Sequence, residues 1–106
     1  MARVRTGLER LLDRPEPVRG LRVGLVVNPS SITPGLEHAS VALAARRGVK
    51  LVALFGPEHG IAADAQDLVE VGHSRDRQTG LPVHSLYGET RVPTPRMLAG
   101  VDAMVY

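Results

Sequence analysis

The sequence predicts an α/β fold with a mostly parallel sheet of about four strands. Two almost continuously apolar runs, residues 21–28 and 49–55, have the composition of strands buried on both faces of a parallel sheet. Residues 36–47 lie between them and carry apolar side chains at helical spacing, with Gly48 following as a C-cap. Because parallel neighbours need a crossover connection, residues 21–55 are predicted to form one right-handed βαβ unit.

A short amphipathic helix is predicted over residues 4–12, ahead of the first strand. Its apolar side chains recur at helical spacing, and Thr6 followed by Glu9 matches the capping box of a helix start. Pro15 and Pro17 then end the helix, because proline removes a backbone donor and restricts the residue before it.

The last third of the chain supplies two further predicted strands. Residues 81–87 have strand composition, and Pro82 confines that strand to a sheet edge or marks its start. Residues 101–106 are as apolar as a buried strand, and Thr94 is predicted to cap a helix of one to two turns before them. The 106 residues suffice for one domain, and since no turn follows the last strand we expect an incomplete N-terminal domain of a longer protein.

Composition and charge exclude several classes of function. The chain has no cysteine, which excludes disulfides and a cysteine nucleophile. Aromatic residues make up 3% and the net charge is +2, so neither base stacking nor a basic stripe supports nucleic-acid binding. No run is long enough to span a membrane, and the N-terminus lacks the apolar core of a secretory signal, so a cytoplasmic protein without a membrane partner is expected.

The turn after the second predicted strand carries the main candidate functional groups. Gly56 and Pro57 break the strand, and Glu58 and His59 follow before Gly60. Ligands of open α/β sheets bind at the carboxyl ends of the strands, so an acid and an imidazole are in a favourable place there. The alternative is structural: Glu58 caps a following helix and His59 is a solvated polar residue.

Two other segments are expected near that turn. Asn28 and Ser30 follow the first strand at the same sheet edge, and the alternative for both is turn chemistry through hydrogen bonds to the backbone. Residues 61–80 carry several acids and too few apolar residues for a core element, which is typical of a functional lid or wall.

Neither a cofactor nor a metal is predicted. No GxGxxG or GxxxxGK[ST] pattern opens a helix, so the nucleotide-binding classes lack their residues. His59, Asp64, His73 and His84 could supply metal ligands, but no HExxH or comparable spacing groups them into a site.

Four segments carry a resemblance to a known family: RVGLVVNPSS, VALFGPEHG, DRQTGLPVHSLYG and RVPTPRMLAGVDAMVY. In this order they resemble the N-terminal domain of the exo-β-N-acetylmuramidases, peptidoglycan-recycling glycoside hydrolases formerly known as a domain of unknown function. The resemblance implies a Rossmann-like three-layer domain, followed by a smaller C-terminal domain that this chain lacks. It also implies a partner, peptidoglycan-derived glycan, from whose non-reducing ends N-acetylmuramic acid is released.

The resemblance implies roles for individual residues. The glutamate of the GPEHG turn falls on Glu58, the expected catalytic carboxylate, with His59 beside it. Asn28 matches the asparagine after the first strand, and Asp64 with Gln66 matches the acidic loop after the turn.

The chain also departs from the family pattern at two positions. Ala63 stands where a glycine is common, and His84 stands where an aromatic residue is frequent. These departures bear on loop shape and on sugar specificity.

Glycoside hydrolysis uses two carboxyl groups, of which Glu58 could supply the protonated one, because its apolar neighbours Phe55 and Pro57 disfavour ionisation. The second carboxylate stays open among Asp64, Asp67, Glu70 and residues beyond the chain.

Arg91 could bind the lactyl carboxylate of the sugar through two parallel hydrogen bonds, the alternative being a solvated loop arginine. The competing hypothesis for the whole chain is a truncated, inactive α/β fragment that binds sugar.

Overall fold

A single five-stranded sheet organises the computed structural model, which describes residues 4–56, 73–86 and 92–106. The strands are Arg22–Val26 (β1), Lys50–Gly56 (β2), His73–Arg75 (β3), Pro82–Ser85 (β4) and Ala103–Val105 (β5). Helix α1 is Gly7–Asp13 and helix α2 is Ala39–Ala45, with a 3₁₀ turn at Glu16–Val18. Neither helix in these ranges approaches the length needed to cross a bilayer.

The sheet is mostly parallel, as predicted. Its order is β3-β4-β2-β1-β5, and β5, β1, β2 and β4 all run parallel, while β3 pairs antiparallel with β4. Helix α2 connects the adjacent parallel strands β1 and β2, which confirms the βαβ unit. The carboxyl ends of four strands therefore meet at one edge of the sheet.

Beside the four parallel strands, the sheet has a short fifth strand, β3. The composition of residues 61–80 predicts no core element, yet β3 lies within that segment. It is only three residues long and belongs to a hairpin in which Asp76 accepts hydrogen bonds from the backbone and hydroxyl of Thr79 at 2.8 and 2.7 Å. Pairing with β4, rather than apolar content of its own, defines this strand.

The main hydrophobic core lies on one face of the sheet. Alternate residues of β1 reach this face and pack against α2 and β2, and partly buried leucines of α1 cover the same cluster. Its buried members are Val18, Val23, Leu25, Val27, Ala39, Leu43, Leu51 and Leu54. Leu51 and Leu54 share this face although they are three residues apart, because the pairing with β1 skips Val52.

The opposite face is organised by Phe55, whose side chain is fully buried. A Cβ placed on Gly24 of β1 would lie 2.9 Å from Cε1 of Phe55 and 2.8 Å from Sδ of Met104. Glycine at this position therefore leaves room for the Phe55 ring against β1.

Both helices begin with a side-chain cap. Thr6 Oγ1 accepts the backbone N–H of Glu9 at 3.1 Å, and Glu9 accepts the N–H of Thr6 at 3.0 Å, which confirms the predicted capping box. Helix α2 starts at Ala39 and not at residue 36, because Leu36 has a φ of 68° and His38 is the N-cap.

Two predictions for the last third of the chain have different outcomes. Pro82 is the first residue of β4 and pairs with Arg75, so the strand-start alternative is confirmed. The helix predicted after Thr94 is wrong: residues 95–100 form consecutive turns. Thr94 Oγ1 still accepts the N–H of Met97 at 3.2 Å, but the bonds that follow mix i+3 and i+4 spacing.

Candidate functional site

The candidate site is the loop that leaves the carboxyl end of β1. The N–H of Val27 donates to the carbonyl of Phe55 at 2.9 Å, so β1 and β2 stay paired up to this edge. The N–H of Leu86 donates to the carbonyl of Gly56 at 2.8 Å, which brings the end of β4 to the same edge. Asn28 and Ser30 begin the loop there, in the predicted position.

The other predicted site residues lie outside the described part of the chain. They include both members of the proposed acid and imidazole pair, the acidic loop and the candidate for the sugar carboxylate: Glu58, His59, Asp64, Gln66 and Arg91. Their roles stay predictions from the sequence, and so does the assignment of the second carboxylate.

The side chain of Asn28 builds the first turn of the loop. Its Oδ1 accepts the backbone N–H of Ser30 at 3.0 Å, the hydroxyl of Ser30 at 2.8 Å and the hydroxyl of Ser31 at 3.3 Å. A backbone N–H can only donate, so the atom facing Ser30 must be the oxygen and the amide orientation is determined. The predicted turn chemistry is present, and the Nδ2 group of the same amide makes no hydrogen bond to the described residues.

Ser31 closes this turn from the other side. Its Oγ accepts the N–H of Asn28 at 3.1 Å while donating to Oδ1 of the same residue. The carbonyl of Ser31 in turn accepts the N–H of Ala39 at 2.7 Å. The start of the loop is therefore tied directly to the first residue of α2.

His38 is a residue of this loop that the sequence pattern does not single out. Its Nδ1 accepts the backbone N–H of Ser40 at 3.2 Å and lies 2.8 Å from the Ser40 hydroxyl, so the imidazole caps α2. Its Nε2 lies 2.9 Å from the carbonyl oxygen of Asn28. Histidine is not among the usual N-cap residues, and the contact with Asn28 spans ten positions, so the local pattern gave little signal.

The middle of the loop carries two exposed apolar side chains. Leu36 is 76% exposed and Ile32 is 42% exposed. The positive φ of Leu36 is unfavourable for a residue with a branched side chain. It is held by a turn in which the N–H of Leu36 donates to the carbonyl of Thr33 at 2.8 Å and Thr33 donates to the carbonyl of Glu37 at 2.8 Å.

His84 approaches the same edge from β4. It is the register partner of Phe55, and the two ring centroids are 5.1 Å apart with the planes inclined by 40°. The imidazole thus makes a ring contact of the kind that an aromatic residue would make. The effect of His84 on sugar specificity stays a prediction.

Metal binding finds no support in residues 4–56, 73–86 and 92–106, where no group of three or more histidine, aspartate or glutamate side chains is arranged to hold an ion. A broad, open depression of about 1020 Å³ lies beside α1, where Arg5, Arg10 and Arg14 alternate with Asp13 and Glu16. This depression is not at the carboxyl ends of the strands, and its mixed charges select no particular ligand.

The fold and the loop define an α/β domain of the open-sheet class, with a polar turn at the carboxyl edge of its parallel strands. The chain belongs to the family described as exo-β-N-acetylmuramidase NamZ, N-terminal, whose model matches residues 23–106. The family resemblance stated from the sequence is therefore confirmed.

Three relatives show how far the likeness extends. The chain is 45% identical over 105 residues to the peptidoglycan β-N-acetylmuramidase NamZ of Bacillus subtilis, covering 98% of this chain and 25% of that protein. A crystal structure of a DUF1343 family protein from Bacteroides fragilis matches with a TM-score of 0.85 and 42% identity, over 99% of this chain and 26% of that one. The Rossmann-like α/β fold class is thereby confirmed.

A second DUF1343 family protein from Bacteroides fragilis shares the fold alone, with a TM-score of 0.68 and 21% identity over 92% of this chain and 23% of that one. The chain thus spans about a quarter of the length of the relatives it matches.

Proposed function

We propose that this chain is the N-terminal part of a glycoside hydrolase that releases N-acetylmuramic acid from the non-reducing ends of peptidoglycan fragments. The observation that carries the proposal is the 45% identity, over nearly the whole chain, with a peptidoglycan β-N-acetylmuramidase. The parallel sheet supports it as well, because β1, β2 and β4 end together at the edge where Asn28 begins the polar loop.

Glu58 is proposed as the catalytic carboxylate. It follows β2 by two residues in the sequence, and β2 is buried over most of its length and ends in Phe55 and Gly56. A carboxyl group near apolar residues favours its protonated form, which is the form that donates a proton to a leaving sugar oxygen. His59 is proposed to form a hydrogen bond either with the partner of Glu58 or with the lactyl carboxylate of the sugar.

Arg91 is proposed to recognise the lactyl carboxylate that distinguishes N-acetylmuramic acid from N-acetylglucosamine. A guanidinium can donate two parallel hydrogen bonds to a carboxylate. A substrate without the lactyl group lacks this contact, so a preference for N-acetylmuramic acid over N-acetylglucosamine is expected.

Replacing Glu58 by Gln tests the central residue of the proposal. In the protein made from the complete reading frame, Glu58→Gln should lower kcat on a disaccharide with terminal N-acetylmuramic acid by about 100-fold to 10,000-fold, the range for loss of general acid catalysis. An aryl glycoside with a good leaving group should lose less, because its departure needs less protonation.

The matched control is Glu16→Gln, which makes the same chemical change on the exposed 3₁₀ turn beside α1. It should leave kcat unchanged. Wild-type turnover of the disaccharide by Glu58→Gln would remove Glu58 from the mechanism, whereas equal losses on both substrates would assign it as nucleophile or base instead of acid.

A second candidate is that the 106-residue chain by itself binds sugar without hydrolysing it. The observation that favours it is that the chain spans about a quarter of the related enzyme. Calorimetric titration of the chain with the disaccharide, combined with chromatography of the mixture, should then show binding without products. Free N-acetylmuramic acid in the mixture would rule this candidate out.

A further inference from the structure

The loop between β1 and α2 contains a histidine with both ring nitrogens engaged. We infer that His38 is a positioning residue: it holds Asn28 so that the Nδ2 amide of Asn28 is presented to an oxygen atom of the substrate. The inference rests on the proposed function for the identity of that substrate, and on hydrogen bonds of the described residues for everything else.

The protonation state of His38 follows from its partners. The backbone N–H of Ser40 can only donate, so Nδ1 must carry a lone pair. The carbonyl of Asn28 can only accept, so Nε2 must carry the hydrogen. His38 is therefore the neutral tautomer with hydrogen on Nε2, and each nitrogen has one defined task.

Ser40 reinforces this arrangement from the α2 side. Its side chain is 1% exposed, and its hydroxyl donates to Nδ1 of His38 at 2.8 Å. A buried hydroxyl that gave up this bond would be left unsatisfied at a cost in stability. The imidazole is consequently held by two donors of the same residue and cannot turn without losing both.

The bond from Nε2 acts on the backbone of Asn28. The carbonyl oxygen of Asn28 accepts from Nε2 of His38 at 2.9 Å and from the N–H of Ser31 at 3.1 Å. The side-chain oxygen of Asn28 accepts from Ser30 and Ser31. With both oxygens of the residue directed into the loop, its Nδ2 group is the donor that remains for a ligand.

Capping of α2 does not by itself explain why residue 38 is a histidine. Serine or asparagine would accept the N–H of Ser40 equally well, since these residues are preferred at N-caps. What they lack is a second donor far enough from the backbone to reach the carbonyl of Asn28. The two tasks of His38 can therefore be separated by substitution.

Asparagine and glutamine at position 38 each retain one of the two hydrogen-bonding functions of the imidazole. His38→Asn places an acceptor near the position of Nδ1 and keeps the cap, but it removes the donor to Asn28. His38→Gln places a donor near the position of Nε2 and gives up the cap. If His38 positions Asn28, His38→Asn should lose activity and His38→Gln should retain it. If His38 only caps α2, His38→Gln should lose activity and His38→Asn should retain it.

The kinetic test uses the protein made from the complete reading frame. On the muramic acid disaccharide, His38→Asn and Asn28→Ala should each lower kcat/KM by about 3-fold to 10-fold, the range that corresponds to the net contribution of one hydrogen bond. The double variant should lose no more than Asn28→Ala alone, because the two residues act as one unit. Glu37→Gln, an exposed neighbour in the same loop, is the control and should be unchanged.

A second readout does not depend on turnover. In protein with ¹⁵N-labelled histidine and asparagine, His38 should show a protonated Nε2 and an unprotonated Nδ1. Titration with N-acetylmuramic acid should shift the side-chain amide signal of Asn28, and His38→Asn should weaken this shift while leaving the Tm close to that of the wild type.

These readouts separate failure of the inference from failure of the proposed function. A shift of the Asn28 amide without any hydrolysis would leave the inference standing and overturn the glycosidase proposal. An Asn28 amide insensitive to sugar in an active enzyme would overturn the inference. Losses of His38→Asn and Asn28→Ala that multiply in the double variant would overturn it as well.

Discussion

Arg22 and Asp102 form the most fully hydrogen-bonded ion pair in the described residues. Nε and Nη2 of Arg22 donate to Oδ2 and Oδ1 of Asp102 at 3.0 Å each, and the backbone N–H of Arg22 donates to Oδ2 at 2.9 Å. The N–H of Asp102 returns a bond to the carbonyl of Arg22 at 2.7 Å. This pair fixes the start of β5 beside the start of β1, at the edge opposite the candidate site.

The pH dependence of stability should report this pair. The hydrogen bond from the Arg22 side chain, followed by the one from its backbone, lowers the pKa of Asp102 from 3.8 to about 2. Because the folded pKa is the lower one, the contribution is complete above about pH 3.8 and is lost as the pH falls through about 2. The effect should be small, since water screens a partly exposed pair.

Urea unfolding between pH 2 and pH 7 measures this contribution. Asp102→Asn should be less stable than the wild type at pH 7, and the two should converge near pH 2. The control is Asp13→Asn, whose carboxylate lies 3.6 Å from Arg5 in a single, largely exposed contact. An Asp102→Asn curve parallel to that of the wild type over the whole range would contradict the argument.

At the scale of elements, β1 and β2 pack closely at Gly24. Gly24 pairs with Ala53 of β2, and the ring of the nearby Phe55 fills part of the space that a side chain at position 24 would need. The backbone of Gly24 does not require glycine, because its φ is not positive. Glycine is needed there for space alone.

Gly24→Ala should therefore destabilise the chain by about 1–3 kcal/mol, the usual cost of overpacking a core. The added Cβ would lie within 3 Å of both Phe55 and Met104, and the buried ring has little room to move. Gly7→Ala is the matched control, because a Cβ there meets nothing within 4 Å. Urea unfolding curves with equal midpoints for the two variants would refute the steric argument.

The elements that sequence predicted best are those specified by short-range patterns. The βαβ unit follows from long apolar runs, and the capping box needs only Thr6 and Glu9. Strand β3 was missed because its partner, and not its own composition, makes it a strand. The start of α2 was misplaced because Leu36 continues the apolar stripe while its backbone leaves the helical region.

The candidate site, too, was predictable only where a short-range pattern specifies it. Asn28 and Ser30 could be placed at the carboxyl edge because β1 ends just before them. His38 could not be found, because its role depends on a carbonyl ten residues away and on which ring nitrogen carries the hydrogen. The turn after β2 made Glu58 a candidate, but the pattern left a helix cap as the alternative, and only the family resemblance implied the catalytic role.

In the whole molecule, the two edges of the sheet carry different features. Its amino-terminal edge carries the Arg22–Asp102 pair, and its carboxyl edge carries the loop of Asn28 and His38. Under the proposed function, this carboxyl edge belongs to an enzyme that removes terminal N-acetylmuramic acid from cell-wall glycan.

The most direct measurement identifies the products released from two matched glycans. It uses the protein made from the complete reading frame. One glycan ends in N-acetylmuramic acid at its non-reducing end, and the other ends in N-acetylglucosamine. The account predicts free N-acetylmuramic acid from the first and no comparable release from the second. Equal cleavage of both glycans, or internal cleavage into larger fragments, would contradict it.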